Sequence, residues 1–448
     1  MDHDDSICPL PWLNLSIDVD GSSRPCCKFA HLRPDSPYQL ANLREHSLEE
    51  VWNAPAMVRL RKDFAAGVRP VECSSCWNEE AAGIRSFRQT YLDDRGIRAR
   101  PDYGDFGPAQ PVGLDLKLSN ACNLRCRICG PTASSSWLTE ELSNPDLAES
   151  TRVELLGAKR YLLSNKLTDD PRNSGTLRAW AASVEHLELT GGEPMFCREY
   201  PEVIDTIAEH GDLGDVTMVV TTNGMVVDER IFAHFDDFRW VTITVSVDDV
   251  GARLEYQRAP AKWSTVAANL ARYGALASER VRVWVNCSVS IFNVWYVPEV
   301  VDWIEAAYPE GAVRMRLNMV HGPEHFNVRS MPVALKEVVA DRLRLAARDR
   351  STVHDLGPQM SELVEFMMEP EPEPGAWTRG LGVIAERDLL RGESFADVAP
   401  EFVEAARGVG AWLEEAEALP TREPTPTIRS VATRIAAPTR RLARTLRR

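Results

Sequence analysis

The chain has 448 residues, of which 44% are hydrophobic and 26% charged. That balance excludes a mainly disordered chain, a fibrous repeat and a disulfide miniprotein. A net charge of −15 argues against nucleic acid as a partner, because phosphate-backbone binders collect Lys and Arg. No run of about 18 uncharged apolar residues occurs, so no transmembrane segment is expected. Met1–Ser6 lack the basic start and apolar run of an export signal. Ten cysteines in such a chain point to metal or iron–sulfur ligands in a reducing, cytoplasmic setting rather than to disulfides.

In chain order, residues 1–105 form a unit bearing Cys8, Cys26, Cys27, Cys73 and Cys76. Ile7–Ile17 reads as a strand, and Asp18-Val19-Asp20-Gly21 folds it back toward Arg24-Pro25-Cys26-Cys27. Ser47-Leu48-Glu49-Glu50 has capping-box spacing, which predicts a helix through Leu60 to about Ala66, with Gly67 as its stop. Residues 106–330 alternate strand-like and helical runs. The predicted strands are Val112–Leu118, Val184–Leu189, Val216–Thr222, Trp240–Val247, Val281–Ser290 and Val313–Val320. Helices are predicted at Pro201–His210, Val266–Ala277 and Val297–Ala307. This alternation predicts an α/β fold with parallel pairing and right-handed crossovers. Six units suit a partial (β/α)6 barrel; an open doubly wound sheet is the alternative on pattern alone.

Residues 331–418 read as mostly helical, interrupted by Glu369-Pro370-Glu371-Pro372-Glu373-Pro374, a stiff linker by composition. Residues 419–448 hold eight Arg, one Glu and four Pro. They read as a solvated, partly disordered tail, with contact to an acidic partner, an anionic membrane surface or the body of the protein as the alternative.

Cys122-Asn123-Leu124-Arg125-Cys126-Arg127-Ile128-Cys129 is spaced Cys-x3-Cys-x2-Cys and follows the predicted strand Leu114–Leu118. The loop after a barrel strand lies at the carboxyl edge, where such barrels place their chemistry. Three thiolates on one loop can hold three irons of a cubane and leave the fourth open to a small molecule. Zinc competes, but a structural zinc normally takes four protein ligands and this loop supplies three. Coincidental buried cysteines are the remaining reading.

With this spacing the chain resembles the radical S-adenosylmethionine superfamily. Thr190-Gly191-Gly192-Glu193-Pro194, at the end of the second predicted barrel strand, is similar to that superfamily's Gly-Gly-Glu-Pro motif. The resemblance implies that Gly191, Gly192, Glu193 and Pro194 border the methionyl amino group of S-adenosylmethionine. It also implies that Asn223 in Thr221-Thr222-Asn223-Gly224, and Ser246 and Asp248 on the fourth strand, meet the rest of that molecule. The activity implied is reductive cleavage of S-adenosylmethionine to a 5′-deoxyadenosyl radical, which removes a substrate hydrogen atom. An electron donor such as flavodoxin or ferredoxin would be a partner.

The amino-terminal cysteines resemble the auxiliary-cluster modules called SPASM and Twitch, with Gly21 and Cys26 reproducing their Gly-x4-Cys element. Five cysteines suit a single auxiliary [4Fe-4S] cluster of the Twitch kind, with Cys8, Cys26, Cys73 and Cys76 as the implied ligands and Cys27 spare. Zinc is the competitor here too. These modules usually follow the barrel, whereas this one precedes it. The segment Val320–Pro332 is similar to one found in Twitch-containing proteins. Enzymes with such modules dehydrogenate, epimerise or cross-link peptides, sugars or aminocyclitols. An epimerase needs a hydrogen-atom donor, for which Cys287 and Cys197 are candidates, with a buried core role as the alternative. Arg258 and the His321–His325 segment are candidates to face substrate. The reading from a different class is a non-catalytic, metal-bound module that presents a peptide or partner.

Overall fold

The computed structural model describes residues 7–30, 36–81, 83, 85–145, 147–162, 167–348 and 355–412. The acidic start and the basic segment 419–448 lie outside the described residues. The strands are β1 (Asn14–Ile17), β2 (Ser23–Arg24), β3 (Gly113–Leu116), β4 (His186–Leu189), β5 (Thr217–Thr222), β6 (Trp240–Ser246), β7 (Val281–Val289) and β8 (Val313–Met319). They form one sheet in the order β2-β1-β3-β4-β5-β6-β7-β8. Every pair from β1–β3 to β7–β8 is parallel, and β2 joins β1 as an antiparallel edge.

The six expected barrel strands are therefore β3 to β8, each within its predicted run. The addition is β1, which the cysteine-bearing unit donates to the edge of β3, pairing Asn14 with Gly113 and Ile17 with Leu116. Side chains alternate along the sheet. Val313, Met315 and Leu317 are buried beneath the helices, while Arg314, Arg316 and Asn318 stand exposed on the opposite, concave face. The helical layer follows from its own periodicity. The helix Glu199–His210 buries Tyr200, Val203, Ile204 and Ile207, and Val297–Ala307 buries Val300, Val301 and Ile304.

Several sequence expectations need correction. The run Ile7–Ile17 is not one strand. Pro9 and Pro11 start a helical turn at Leu10–Leu13, and only Asn14–Ile17 pairs. The helix from Ser47 keeps its capping box but stops at Trp52; Pro55 cannot donate to Val51 and opens a new helix, Pro55–Ala65. Gly67, in the left-handed region at φ 78°, does end it. The Glu-Pro segment is an exposed connection tied down at a few points. Glu371 accepts from the Ala376 N–H at 3.0 Å, and the Pro370 carbonyl accepts from Arg329 at 3.1 Å.

One hydrophobic core runs from the sheet into the carboxyl-terminal helices 333–347, 356–368 and 376–391. A second, smaller core gathers Cys8, Trp12, Phe29, Tyr38, Phe64 and Tyr91 in the amino-terminal unit. Buried Arg61 ties that unit together, donating to the carbonyls of Pro11, Trp52 and Phe106 at 2.8–3.0 Å. Among the described residues no helix is long and apolar enough to cross a membrane.

Candidate active site

The three-cysteine loop leaves β3 at the carboxyl edge of the sheet. Its shape is set by contacts from three other elements. The Arg125 and Arg127 N–H groups donate to the Ala259 and Gln257 carbonyls, both at 2.8 Å. At the start of the following helix, Ser136 Oγ donates to the Cys122 carbonyl at 2.6 Å and Trp137 Nε1 to the Cys126 carbonyl at 2.7 Å. From the carboxyl-terminal helix, Arg391 donates to the Arg125 carbonyl at 2.9 Å. Arg127, between the second and third cysteines, is 3% exposed. Its guanidinium sits 3.6 Å from the Tyr256 ring centroid and pairs with Asp388 at 2.6 Å and Glu393 at 2.5 Å.

Cys122 and Cys126 are buried, Cys129 is exposed, and none forms a disulfide. Burial pushes the Cys122 thiol up to about 11. A hydrogen bond from Cys126 holds Cys129 down and pushes Cys126 up. Two polar side chains approach the sulfurs, Asn223 Nδ2 at 3.9 Å from Cys122 Sγ and Arg258 Nη1 at 3.9 Å from Cys126 Sγ. Arg258 is a residue whose place sequence reasoning missed. It was expected to face substrate, yet it is buried between Cys126 and Asp248, its Nε 2.7 Å from Asp248 Oδ2. Burial opposes its charge, and Asp248 and the sulfurs outweigh that cost. No local pattern marks Arg258, because its partners come from β6 and the distant cysteine loop.

The Gly191-Gly192-Glu193 turn lies directly on the entry to the cysteine loop. Gly192 N–H donates to the Ser119 carbonyl and Glu193 N–H to the Ala121 carbonyl, both at 2.9 Å. A Cβ at Gly192 would fall 2.4 Å from the Ala121 carbonyl oxygen, and Gly191 has φ 118°. Only glycines let the two backbones approach this closely. Glu193 is 1% exposed and its carboxylate is already engaged. It accepts from Thr222 Oγ1 at 2.7 Å, the Asn223 N–H at 2.6 Å and the Met195 N–H at 2.9 Å. Burial raises it to about 7 against those donors. Its carboxylate therefore braces the end of β4 against the end of β5, beside the entry to the cysteine loop. Pro194, next in the turn, is buried.

On β6 and β7, Ser246 pairs with Asn286 in register. Asp248 accepts from the Ser288 N–H at 2.9 Å. Cys287 is 0% exposed on the opposite face, packed in the hydrophobic core with its thiol directed at the Asp248 carbonyl. Cys197 is buried in the same core. Both thiols are thus packed among apolar side chains of the large core. Cys27 differs: it is exposed, and its electrostatic neighbours are Asp115, Glu188, Lys117 and Arg24. The His321–His325 segment packs against the carboxyl-terminal helices, with His321 edge-on to Phe366 and His325 held near 4 by burial.

In the amino-terminal unit, Cys8, Cys26, Cys73 and Cys76 line one small pocket together with Leu10, Phe29, Phe64, Trp77 and Arg88. Cys27 is not among the lining residues. Burial raises Cys8 to about 12 and pushes Cys26 and Cys73 up as well. Among the described residues no three His, Cys, Asp or Glu converge closely enough to hold a single metal ion. The two donor sets are three free thiols on one loop and four free thiols lining one pocket.

Comparison with known proteins agrees with this chemistry. Residues 116–304 match the model of the radical SAM superfamily, and residues 8–77 match SPASM, an iron–sulfur cluster-binding domain. GTP 3′,8-cyclase 1 of Mycobacterium tuberculosis is 31% identical over 121 residues, 26% of this chain and 27% of that protein. The GTP 3′,8-cyclase of Yersinia pestis is 30% identical over 140 residues, 31% of this chain and 35% of its own. The chain thus spans about a third or less of the curated relatives it matches. Native anSMEcpe with bound AdoMet is 14% identical, with 62% of this chain and 66% of that one covered, at a TM-score of 0.35. Streptococcus suis SuiB is 13% identical over 63% of this chain and 59% of its own, at 0.31. The matched domains imply a [4Fe-4S] cluster, S-adenosylmethionine and an auxiliary iron–sulfur cluster. The protein carries a radical SAM domain with its SPASM-type domain placed before it in the chain rather than after.

Proposed function

We propose that Cys122, Cys126 and Cys129 hold the cluster that binds S-adenosylmethionine, and that Cys8, Cys26, Cys73 and Cys76 hold one auxiliary cluster of the Twitch kind. When bound, the cluster and S-adenosylmethionine supply a radical able to take hydrogen from an unactivated C–H bond. The chain's own residues do the rest. Gly191 and Gly192 bring backbone groups up to the open corner, and Glu193 fixes that turn to Asn223. Arg258, anchored by Asp248, places positive charge beside the Cys126 sulfur, while Ser246 offers a polar group on the same strand end. Buried Leu124 and partly buried Ile128 limit water at the loop.

The reaction is dehydrogenation, epimerisation or cross-linking of a peptide, sugar or aminocyclitol. For epimerisation the thiol candidates are the buried Cys287 and Cys197 and the exposed Cys27, whose neighbours Asp115 and Glu188 lie on β3 and β4. The proposed setting is cytoplasmic, with a flavodoxin or ferredoxin as electron donor. The observation that carries this reading is the backbone-to-backbone packing of the Gly191–Glu193 turn on the three-cysteine loop. Anaerobic reconstitution should give about eight iron and eight sulfide per chain, two cubanes' worth. Dithionite and S-adenosylmethionine should then yield 5′-deoxyadenosine. Full cluster loading without that product overturns the enzymatic reading; four irons with one zinc recast the amino-terminal site.

A further inference from the structure

The concave face of β7 and β8 carries a row of arginines that nothing above uses. Arg282, Arg314 and Arg316 alternate with buried Val283, Val313, Met315 and Leu317, so all three stand on the concave side and are exposed. Register sets Trp284 beside Arg314 and Asn286 beside Arg316, and Asn286 in turn lies beside Ser246. Arg316 therefore sits at the level of the carboxyl-edge site. Its Nε donates to Asn286 Oδ1 at 3.0 Å. Arg282 lies over the Trp240 ring at 5.3 Å and Arg314 over Trp284 at 6.0 Å. No carboxylate pairs with any of the three among the described residues, whereas Arg95 on the far side pairs with Glu188 at 2.9 Å. Burial and Arg95 hold Arg316 below its ordinary range against the opposing pull of Glu188, so two guanidiniums share this space with one carboxylate that Arg95 already engages.

Cations without a carboxylate partner are costly to gather on one strand pair, and such a patch attracts anions. Such a face is notable in a chain of net charge −15, which repels anions elsewhere. Arginine presents a planar fork matched to carboxylate and phosphate oxygens. Arg314 and Arg316 are two residues apart on one strand, roughly 7 Å. That spacing suits an extended anion, with two charged groups, better than a single small ion.

Resting on the radical-enzyme reading above, we propose that this row binds the substrate of that site through an extended anionic group, a diphosphate or a pair of carboxylates. Trp284 would offer a flat apolar surface to the part of the substrate next to it.

The test uses the full-length, reconstituted protein and two probes, inorganic pyrophosphate and succinate. Titration calorimetry at low salt should detect binding of at least one probe, weakening as salt rises. The probe that binds tells phosphate from carboxylate. R314Q/R316Q should weaken it about tenfold or more, as expected for lost charged hydrogen bonds. R316K, which keeps charge but loses the fork, should fall between. Equal thermal midpoints of wild type and variants without probe would show that folding is intact. Binding of neither probe, or equal binding by wild type and R314Q/R316Q, overturns the proposal. Formation of 5′-deoxyadenosine by the same wild-type sample tests the radical-enzyme reading separately, since it needs no substrate.

Discussion

The two cysteine sites solve opposite problems with the same side chain. The loop at Cys122–Cys129 is local in sequence, spans eight residues, and leaves Cys129 exposed. Its rigidity is borrowed from the 257–259 segment, the helix beginning at Ser135 and the distant Asp388 and Glu393. The amino-terminal site draws Cys8, Cys26, Cys73 and Cys76 from separate turns and closes them in with Phe29, Phe64 and Trp77. The first site leaves one thiol exposed at the sheet edge; the second surrounds its thiols mostly with apolar side chains. The lesson is that a short motif can be flexible by itself and still be held firmly, provided remote elements grip its backbone.

Cysteine changes should split the two sites most sharply. C126A should abolish 5′-deoxyadenosine and remove about four of eight irons, read by iron analysis and product chromatography. C73A should remove a similar share of iron while also lowering the unfolding midpoint, because the smaller core depends on what fills its centre. Equal midpoints for both variants would erase the distinction between the sites. Next comes the grip itself. Arg127→Leu strands Asp388 and Glu393 beside the loop and should cost about 3 kcal/mol in urea unfolding. A loss under about 0.5 kcal/mol would mean the loop holds its own shape.

A pH effect follows from Glu193. Its folded value, about 7, lies above the ordinary 4.5, so the folded state holds this proton more tightly than the unfolded chain. The group's contribution to stability is greatest below pH 4.5 and declines as pH rises to about 7, by roughly 3 kcal/mol at most. E193Q should flatten that part of the pH profile, measured by chemical unfolding of the metal-free protein. An unchanged slope would locate the effect in Asp115 or Asp249, whose carboxyls burial also raises. The smallest effect is expected from C287A, a loss of roughly 1–2 kcal/mol for a small core cavity. Any change in the hydrogen isotope pattern of the product would instead place Cys287 in the chemistry.

Much of this arrangement was legible in the residues. The spacing of Cys122, Cys126 and Cys129 marked one chemical loop. The four cysteines around the amino-terminal space were also named from their motifs. What stayed hidden depends on partners far apart in the chain. Arg127 meets Asp388 across 261 residues, and Arg258 meets Cys126 across 132. Neither periodicity nor spacing encodes such meetings. The break at Pro55 and the short helix at Leu10 were local signals that strand and helix runs on either side obscured. Glu193 shows a subtler gap, because its motif marked the position while only the fold shows where its oxygens point.

The strand β1 has a consequence for how the molecule is assembled. Residues 14–17 find their partner at 113–116, nearly a hundred positions later. As the polypeptide leaves the ribosome, this segment must wait, with one row of peptide groups unmatched, until β3 arrives. Severing the chain near residue 105 would therefore leave a sticky margin on the released piece. The two cysteine-bearing regions are thereby joined through one continuous sheet, by backbone pairing rather than by a hinge.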